Sequence, residues 1–307
     1  MISVVCNHLN LFKYVPLTLE SITNQKFIDY EIIIIDAGSN YNNLNSLKKY
    51  CQNNKKIRII EQLDDGPNYG YNTGIKQSKG DILLFLNISD FIEPNTLKRA
   101  LSHFETDQDL LSVAGGYNHL TEDKIILKKQ IYKKRFATFA DLTNYYLPHL
   151  SSIFTKKEVF QRYGFFSTDR ISKRCTTTDF INLYFNILKD RKKIFFDDLI
   201  YCNYLKHENN SRPKEIRKYF LVSSRRKACR KVYHNFNKFL SKKEKYALLT
   251  EDLKHKLKVS IYCKDILRFF KTIIEIYKKS DLKNLVRVVF IVFKTYISDY
   301  FRMTEKF

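Results

Sequence analysis

The feature that most constrains this chain is a short, wholly apolar run that stops abruptly in polar residues. Residues 82–86 are all apolar; a Gly-Asp pair precedes them, and Asn87, Ser89 and Asp90 follow. An uninterrupted apolar run of this length between turn residues is typical of a strand buried on both faces. In an open α/β sheet, ligands bind beyond the carboxyl ends of such strands. The polar residues after this run are therefore expected to face a ligand.

The N-terminal part of the chain alternates strand and helix patterns. Apolar runs predict strands over 2–6, 31–35 and 57–61, and helical spacing predicts helices over 15–24 and 44–53. Strand, helix and strand within 40 residues form a βαβ unit, which implies parallel pairing and a right-handed crossover. The fold class expected from this pattern is α/β, with a doubly wound sheet.

Downstream of the 82–86 run the patterns are more mixed. A helix is predicted after Asn95, which is placed to cap it, and strands are predicted over 110–114 and 124–128. A further helix is predicted over 136–146, and another begins near Thr176. From residue 214 onward the chain has helical patterns without strand patterns.

A series of short motifs occurs in a fixed order along the first two thirds of the chain. An Asn (Asn10) follows the first strand, Asp36-Ala-Gly-Ser follows the second, and Asp65 opens an Asp-Gly-Pro turn ahead of Asn72-x-Gly. Gly-Asp and the apolar run come next. Together these motifs resemble the family-2 glycosyltransferases with the GT-A fold, in particular the bacterial type that builds capsule, exopolysaccharide or lipopolysaccharide. The resemblance covers about residues 2–210.

The resemblance implies a fold and an activity. The fold would be GT-A, a Rossmann-like, mostly parallel sheet flanked by helices, over residues 1–211, with a basic helical extension over 212–307. The activity would be transfer of a sugar with inversion from a nucleotide-sugar donor, expected to be a UDP-sugar. The acceptor would be a glycan or a lipid-linked glycan in the synthesis of a bacterial surface polysaccharide.

The resemblance also implies donor-binding residues. Asp36 and Asp65 would contact the nucleotide, and the remaining polar positions of the donor and diphosphate site would be Asn10, Asn72, Asn87 and His149. The residues alone allow simpler interpretations. Asp36 and Asp65 both lie in good turn sequences, and a single histidine is commonly a hydrogen-bonded core residue.

Asp179 is the candidate catalytic base. It lies in the first turn of a predicted amphipathic helix, where the helix dipole favours a carboxylate, so its position has a purely structural explanation. In the family, an aspartate in this setting takes the proton from the acceptor hydroxyl. The resemblance therefore implies that Asp179 is a general base.

The expected metal motif is incomplete. The family carries an Asp-x-Asp motif after the strand, whereas this chain has Asn87 and Ser89, and only Asp90 keeps a carboxylate. Three alternatives stay open. Asp90 holds Mn²⁺ or Mg²⁺ with donor phosphates and water; or basic residues such as Lys173 and Arg174 replace the metal; or the chain is a weak or inactive relative that serves as a subunit of a polysaccharide assembly complex.

The charge of the chain is concentrated at its C-terminal end. The formal net charge is +22, and residues 212–307 hold 26 Lys and Arg against 9 Asp and Glu. A stripe of apolar residues within 261–279 and an apolar segment over 285–297 lie among these charges. The second segment is shorter than the roughly 20 residues that span a bilayer. These features predict either amphipathic helices on an anionic membrane surface or helices that pack on the first domain or on another subunit, including a second copy.

The sequence also argues against other classes. No nucleic-acid-binding motif is present and the aromatic residues lie in periodic apolar runs, so nucleic acid is not the expected partner. A nucleotidyltransferase would carry a Gly-rich N-terminal loop that this chain lacks. The six cysteines form no C-x-x-C pair and the chain enters a strand directly. We therefore expect a reducing cytoplasmic location, with peripheral attachment at the inner face of the plasma membrane if the tail binds lipid.

Overall fold

The computed structural model describes residues 1–27, 29–63, 65–143, 148–168, 176–208, 230, 232–262, 266–279 and 289–290. Its contacts divide the chain into two compact units. Unit 1 comprises residues 1–142 and 146–211, and unit 2 comprises residues 143–145 and 212–307. The division into domains 1–211 and 212–307 expected from the sequence, and the roles assigned to the two parts, stay predictions.

In unit 1, the described residues form one ten-stranded sheet. Its strands are β1 (Ile2–His8), β2 (Tyr30–Asp36), β3 (Ile57–Glu61), β4 (Ile82–Phe85), β5 (Phe91–Ile92), β6 (Leu110–Leu120), β7 (Ile126–Gln130), β8 (Arg135–Phe136), β9 (Ile153–Lys156) and β10 (Lys193–Leu205). The main path runs β3-β2-β1-β4-β9-β6-β10-β5, with β7 paired to β6 and β8 paired to β10.

The strands that carry most of the sheet run in one direction. β3, β2, β1 and β4 pair in parallel, β9 lies antiparallel between β4 and β6, and β6 pairs in parallel with β10. The carboxyl ends of β1, β2, β4, β6 and β10 therefore lie along the same edge of the sheet. β1, β2 and β4 are apolar on both faces and almost wholly buried, because helices cover both sides.

Helices connect these strands. They are α1 (Val15–Thr23), α2 (Tyr41–Cys51), α3 (Pro67–Gln77), α4 (Thr96–Thr106), α5 (Phe139–Thr143), α6 (Glu158–Tyr163) and α7 (Thr176–Lys189). The buried core combines the aliphatic residues of the central strands with a group of packed phenylalanines, in which Phe85, Phe160, Phe166 and Phe180 meet edge to face. Such contacts add to the free energy gained by burial.

Several local predictions need correction. The helix expected over 136–146 begins later: Phe136 belongs to β8, α5 occupies residues 139–143, and residues 144–147 lie outside the described part. Asn95 precedes α4 but makes no capping hydrogen bond, because its backbone is left-handed with φ of 63°. The single helical stripe expected within 261–279 is split between two helices.

Unit 2 contains two well-described helices, α8 (Lys242–Tyr262) and α9 (Ile266–Lys279). α8 begins with a capping box, in which Ser241 Oγ accepts from the Glu244 amide at 3.2 Å and the Glu244 carboxylate accepts from the Ser241 amide at 2.8 Å. Leu253 and Leu257 of α8 form a small core against Phe269 and Ile273 of α9. Most of the segment 285–297 lies outside the described residues.

Two further observations bear on the sequence-based expectations. Within the described parts of the chain, no helix combines the length and the apolar character that crossing a bilayer requires. Three of the six cysteines are described, Cys6, Cys51 and Cys202, and all three are buried free thiols.

Candidate active site

The candidate site lies at the carboxyl end of β1 and its neighbours. β2 and β4 flank β1 and run parallel to it. His8 at the end of β1 pairs with Asp36 at the end of β2, and the 87–90 loop follows the end of β4. The backbone amide of Ile88 donates to the Asn7 carbonyl at 3.4 Å, and the Asn7 side chain donates to the Pro67 carbonyl at 2.9 Å. The start of α3 and the 87–90 loop are thereby tied to the end of β1.

Asp36 is a buried and fully engaged carboxylate. Its Oδ2 lies 2.7 Å from His8 Nδ1, and its Oδ1 accepts from the amides of Gly38 at 3.1 Å and Ser39 at 2.9 Å. Burial by itself raises the pKa of Asp36, but the hydrogen bonds from His8 and Ser39 outweigh it and hold the pKa below its ordinary value. Asp36 is therefore an ionised group with a fixed direction.

Asn10 joins two loops at the same edge. Its backbone is left-handed, with φ of 53°, its amide donates to Ser39 Oγ at 2.9 Å, and its side-chain oxygen accepts from the Asn40 amide at 2.8 Å. Asn tolerates this conformation better than most residues. Asn10 thus fixes the loop after β1 against the loop after β2, and a direct contact with the donor stays a prediction.

Asp65 and Asn72 lie at different points around α3. Asp65 is half-buried and precedes Gly66, whose φ of 99° allows the turn into the helix at Pro67. Asn72 exchanges two hydrogen bonds with the backbone of Phe166, donating at 2.9 Å and accepting at 3.0 Å. In this arrangement Asn72 positions the segment before Asp179, and its role as a direct donor ligand stays a prediction.

The 87–90 loop is held by a buried network. Asp90 is fully buried, and its Oδ2 accepts from Ser151 Oγ at 2.6 Å and from Asn87 Nδ2 at 3.3 Å. Asn87 Oδ1 accepts from the Tyr71 hydroxyl. Thr18 Oγ1 bridges the loop by accepting from the Ser89 amide at 3.0 Å and donating to the Asp90 carbonyl at 2.8 Å.

This network does not fit a divalent metal site. Asp90 is the one carboxylate of the loop, it has no solvent-exposed surface, and the neighbouring carboxamide directs its N–H group at it. Burial raises the pKa of Asp90 to about 7, despite the hydrogen bonds from Ser151 and Asn87 and the nearby Leu205 amide. Within the described residues, no group of three or more His, Cys, Asp or Glu is arranged to hold a metal ion. Enzymes of this fold commonly use a divalent metal. Here the described residues supply a single buried carboxylate, whose Oδ2 is taken by Ser151 and Asn87 and whose Oδ1 has no hydrogen-bond partner among them.

His149 lies beside this loop. It caps the short 3-10 turn Leu150–Ser152, its Nδ1 accepts from the Ser151 amide at 3.3 Å, and it packs against Tyr117 and Tyr204. Its burial among these rings, with a smaller effect of His119, lowers the pKa of His149 to about 3. His149 is therefore a neutral histidine that positions Ser151, the partner of Asp90.

Asp179 lies in the first turn of α7 and faces the start of α3. Its Oδ2 accepts from Asn68 Nδ2 at 3.0 Å and from the Ser167 amide at 3.0 Å, and Asn68 also donates to the Ser167 carbonyl at 2.7 Å. The carboxylate is almost completely buried, with 9% of the residue exposed. Asn68 thereby links the candidate base directly to the helix that follows Asp65.

The four predicted carboxylates are grouped around the end of β1. Asp36 reaches it through His8, Asp65 and Asp179 lie at the amino end of α3, and Asp90 follows β4. Lys173 and Arg174, considered as a substitute for the metal, lie outside the described residues. The geometry brings together the residues that the sequence singled out, while their individual roles stay predictions.

Several residues of the site were not predicted. They are His8, Thr18, Asn68, Tyr71 and Ser151. Each is a polar side chain that supports a predicted one from a different element. Only His8 had a usable signal, a histidine at the end of the first strand; the other pairs require knowledge of which elements meet.

The overall structure is similar to solved glycosyltransferases. It superposes on Staphylococcus aureus TarS in complex with UDP-GlcNAc with a TM-score of 0.64 at 16% identity, over 92% of this chain and 82% of that chain. A mannosyltransferase from Pyrobaculum calidifontis, in complex with GDP-Man and Mn²⁺, gives a TM-score of 0.63 at 12% identity, over 99% and 83% of the two chains. At these identities the similarity establishes the fold, and it confirms the predicted GT-A fold.

Sequence comparison gives the family. The chain is 30% identical over 113 residues to the chondroitin synthase of Escherichia coli, over 37% of this chain and 16% of that protein. It is 30% identical over 106 residues to the poly(ribitol-phosphate) β-N-acetylglucosaminyltransferase TarS of Staphylococcus aureus, over 34% of this chain and 18% of that protein. The chain thus matches less than a fifth of either relative. The model of the family described as glycosyl transferase family 2 matches residues 2–167, more than half of the sequence. This chain belongs to glycosyl transferase family 2.

Proposed function

We propose that this chain transfers a sugar from a nucleotide-sugar donor to a glycan or lipid-linked acceptor with inversion, in bacterial surface polysaccharide synthesis. The observation that carries the proposal is the position of Asp179. Its carboxylate is held by Asn68 and Ser167 at the amino end of α3, beside the strand ends that carry Asp36 and the 87–90 loop. A fixed carboxylate next to a ligand-binding sheet edge is the arrangement that general-base catalysis needs.

In the proposed reaction, Asp179 accepts the proton of the acceptor hydroxyl as its oxygen attacks the anomeric carbon. The bond to the nucleoside diphosphate breaks on the opposite face of the sugar, so the configuration inverts. Two hydrogen bonds to Oδ2 restrict the rotation of the carboxylate and so direct it before the acceptor binds. General-base assistance of this kind contributes about 10²–10⁴-fold to a rate.

The nucleotide is assigned to the neighbouring strand ends. Asp36 is an ionised acceptor whose direction is set by His8 and Ser39, and a ribose hydroxyl or a base N–H group would suit it as a donor. Asp65, half-buried at the turn into α3, is the second candidate. TarS was solved with UDP and UDP-GlcNAc, which supports a UDP-sugar as the first donor to test.

The negative charge that develops on the leaving diphosphate needs stabilisation. A metal is the usual solution in this fold, and the mannosyltransferase neighbour was solved with Mn²⁺. The 87–90 loop supplies only one carboxylate, the buried Asp90, and the described residues add no cluster of ligand side chains to it, so the proposed reaction contains no step through a metal. Dependence of turnover on Mn²⁺ or Mg²⁺ is measured in the experiment below.

A membrane surface is the proposed location of the acceptor. α9 exposes Leu267, Phe270 and Ile274 on one side, with Lys271 next to them. These residues lie in the part of the chain with a large excess of Lys and Arg, and an apolar strip flanked by positive charge matches an anionic lipid surface. We propose peripheral attachment through this strip.

The experiment starts with calorimetry of the full chain against UDP-, GDP- and dTDP-sugars, followed by donor hydrolysis and transfer with the donor that binds. Asp179→Asn should lower turnover about 10²–10⁴-fold. Donor affinity should stay unchanged, because an asparagine oxygen can still accept from Asn68 and Ser167. Asp190→Asn, just beyond the other end of α7, is the matched control. All assays are run with EDTA and with added Mn²⁺ or Mg²⁺.

Each outcome has a defined meaning. Full turnover by Asp179→Asn contradicts the assignment of the base. Turnover in EDTA supports a reaction without metal, and strict dependence on Mn²⁺ restores Asp90 as its ligand. Binding of a donor without turnover under any condition favours the second candidate, a non-catalytic subunit of a polysaccharide assembly complex, which the incomplete acidic motif makes worth testing.

A further inference from the structure

A group of aromatic rings lies beside the candidate active site, and apart from His149, which positions Ser151, these rings take no part in the proposed reaction. It occupies the extended carboxyl ends of β6 and β10 and the loop before β9. The rings, which we call the aromatic platform, are those of Tyr117, His119, His149 and Tyr204.

The platform is a direct result of strand register. Tyr117 and His119 are two residues apart on β6, so they project from the same face of the sheet, and Tyr204 of β10 lies directly opposite His119. The ring centroids of Tyr117 and His119 are 5.3 Å apart, and those of His119 and Tyr204 are 4.9 Å apart. Of these three residues, His119 and Tyr204 are half-exposed.

The platform is continuous with the candidate site. His149 joins it from the loop, with its ring centroid 5.4 Å from Tyr117 and 5.1 Å from Tyr204. The same histidine accepts from the Ser151 amide, and Ser151 donates to Asp90. A molecule lying on the platform would therefore extend away from the 87–90 loop.

Two exposed lysines flank the platform. Lys128 of β7 lies opposite His119, and its Nζ is 3.5 Å from the Tyr117 hydroxyl. Lys206 is exposed and follows directly after β10, two residues after Tyr204. Burial lowers the pKa of His119, and the positive charges of Lys128 and Lys206 lower it further, which places both lysines near this ring. Within the described residues, neither lysine forms an ion pair.

We infer that the platform binds an anionic acceptor, a glycan or polyol chain that carries carboxylates or phosphodiesters. Aromatic faces bind the apolar C–H surfaces of sugar rings, and the two ammonium groups attract negative charge on the same chain. Lys128 also lies over the Tyr117 ring, 5.6 Å from its centroid, so its charge is held at the platform itself; a neutral glycan would use the rings but neither charge. This inference rests on the proposed function, because it identifies the acceptor of that reaction.

The test is binding of defined oligomers to the full chain by calorimetry at low and at moderate salt. The probes are a glucuronate-containing oligosaccharide, its carboxyl-reduced form, and a ribitol-phosphate oligomer. We expect at least one of the two anionic probes to bind more tightly than the neutral form, with an affinity that falls as salt is added. The carboxylate and phosphodiester probes then distinguish the two sources of charge.

Substitutions locate the binding. Lys128→Gln and Lys206→Gln should each lower the affinity for the anionic probe by roughly 2- to 5-fold, as expected for solvent-exposed charge pairs. Lys129→Gln is the matched control. This substitution removes the same charge, but Lys129 is an exposed residue that projects from the opposite face of β7. Tyr204→Leu should lower the affinity for the anionic probe and the affinity for its neutral form by the same factor.

Several results would overturn the inference: equal binding of the neutral form, no binding of either anionic probe, or equal effects of Lys128→Gln and Lys129→Gln. Tighter binding of a single-stranded RNA oligomer than of the anionic glycans would reassign the platform to nucleic acid. Calorimetry with the nucleotide-sugar is run in parallel. A donor that binds while no anionic probe does leaves the proposed function intact, whereas the absence of donor binding refutes the proposed function itself.

Discussion

The 87–90 loop carries the neutral polar residues Asn87 and Ser89 beside a single carboxylate, Asp90, and its conformation depends on side chains from other elements. Ser89 has a backbone φ of 106°, a region that residues with a side chain rarely occupy. The hydrogen bond from its amide to the buried Thr18 hydroxyl holds it there. Tyr71 and Ser151 supply donors to Asn87 and Asp90. The loop is thus held by hydrogen bonds at each of these residues, while Asp90 Oδ1 is buried without a hydrogen-bond partner among the described residues.

A second residue-scale consequence concerns His149 and acid stability. Its folded-state pKa is about 3, against 6.5 for an unperturbed histidine, so below pH 6.5 the unfolded chain binds a proton that the folded chain does not. The free energy of unfolding that the neutral His149 contributes is therefore fully present above pH 6.5 and is lost as the pH falls toward 3. His149→Asn keeps an acceptor for the Ser151 amide but does not titrate, so its melting temperature should fall less than that of the wild type over this range.

Thermal unfolding from pH 7.5 down to pH 4 measures the difference. His119, whose pKa is also lowered, and the carboxylates contribute the same background to both proteins. His234→Asn, at an exposed histidine in unit 2, controls for the substitution itself. Melting curves of wild type and His149→Asn that shift in parallel with pH would contradict this account.

At this scale the sequence carries local signals for the candidate carboxylates but not for their partners, and the roles of the carboxylates stay predictions. Asp36, Asp65 and Asp179 stood out because each follows a strand, opens a turn or begins a helix, which are local features. Asn72 was singled out by its Asn-x-Gly motif, yet its side chain binds the backbone of Phe166, 94 residues away. A partner that distant in sequence leaves no local pattern.

Among the helices beside the candidate site, α3 is one that sequence patterns did not reveal. Its residues include Pro67, Gly70 and Gly74, and glycine is unfavourable in a helix interior. The structure explains why they are there. A Cβ atom on Gly74 would overlap the Val5 side chain, and one on Gly70 would overlap that of Asn7, because α3 lies directly against β1. Tertiary packing has overridden helix propensity.

Gly74→Ala tests this contact. Alanine favours the helix by about 1 kcal/mol, but overpacking a core costs about 1–3 kcal/mol, so a net loss in the free energy of unfolding is expected. Gln77→Ala, at the exposed last position of the same helix, should leave stability unchanged within about 0.5 kcal/mol. Urea denaturation measures both. A Gly74→Ala protein as stable as the wild type would show that the helix can move away from β1.

Strands show the same division between local and distant information. β1, β2 and β4 were predicted from their apolar runs, with ends displaced by one or two residues. β9 and β10 were not predicted, because β9 is only four residues long and β10 interrupts its apolar residues with the pair Asp197 and Asp198, of which the first is buried and the second exposed. Their place beside β4 and β6 is a property of the whole sheet.

For the molecule as a whole, the uneven charge distribution is the main feature beyond the fold. If the apolar strip of α9 binds lipid, the full chain should sediment with vesicles that contain phosphatidylglycerol and much less with phosphatidylcholine alone. The triple variant Leu267→Ser, Phe270→Ser and Ile274→Ser should weaken this binding at least about tenfold, because each side chain contributes more than 1 kcal/mol when buried.

A matched triple variant lies in unit 1, where Ile125, Ile126 and Leu127 are also exposed on the β7 hairpin. Replacing these three residues by serine should leave lipid binding unchanged. If the α9 variant binds lipid like the wild type but changes the mass measured by light scattering, the strip joins two copies of the chain and the membrane proposal is wrong.

The position of β9 has a consequence for how the protein is made. This strand, Ile153–Lys156, is the seam between β4 and β6, and β10 supplies the parallel partner of β6. A nascent chain that has left the ribosome only as far as β6 therefore cannot close the sheet, although the first four parallel strands are already present. The β4 edge of those strands therefore stays unpaired until residue 156, the end of β9, has emerged from the ribosome. Chaperone contacts during synthesis should accordingly be concentrated between the emergence of β4 and that of β9.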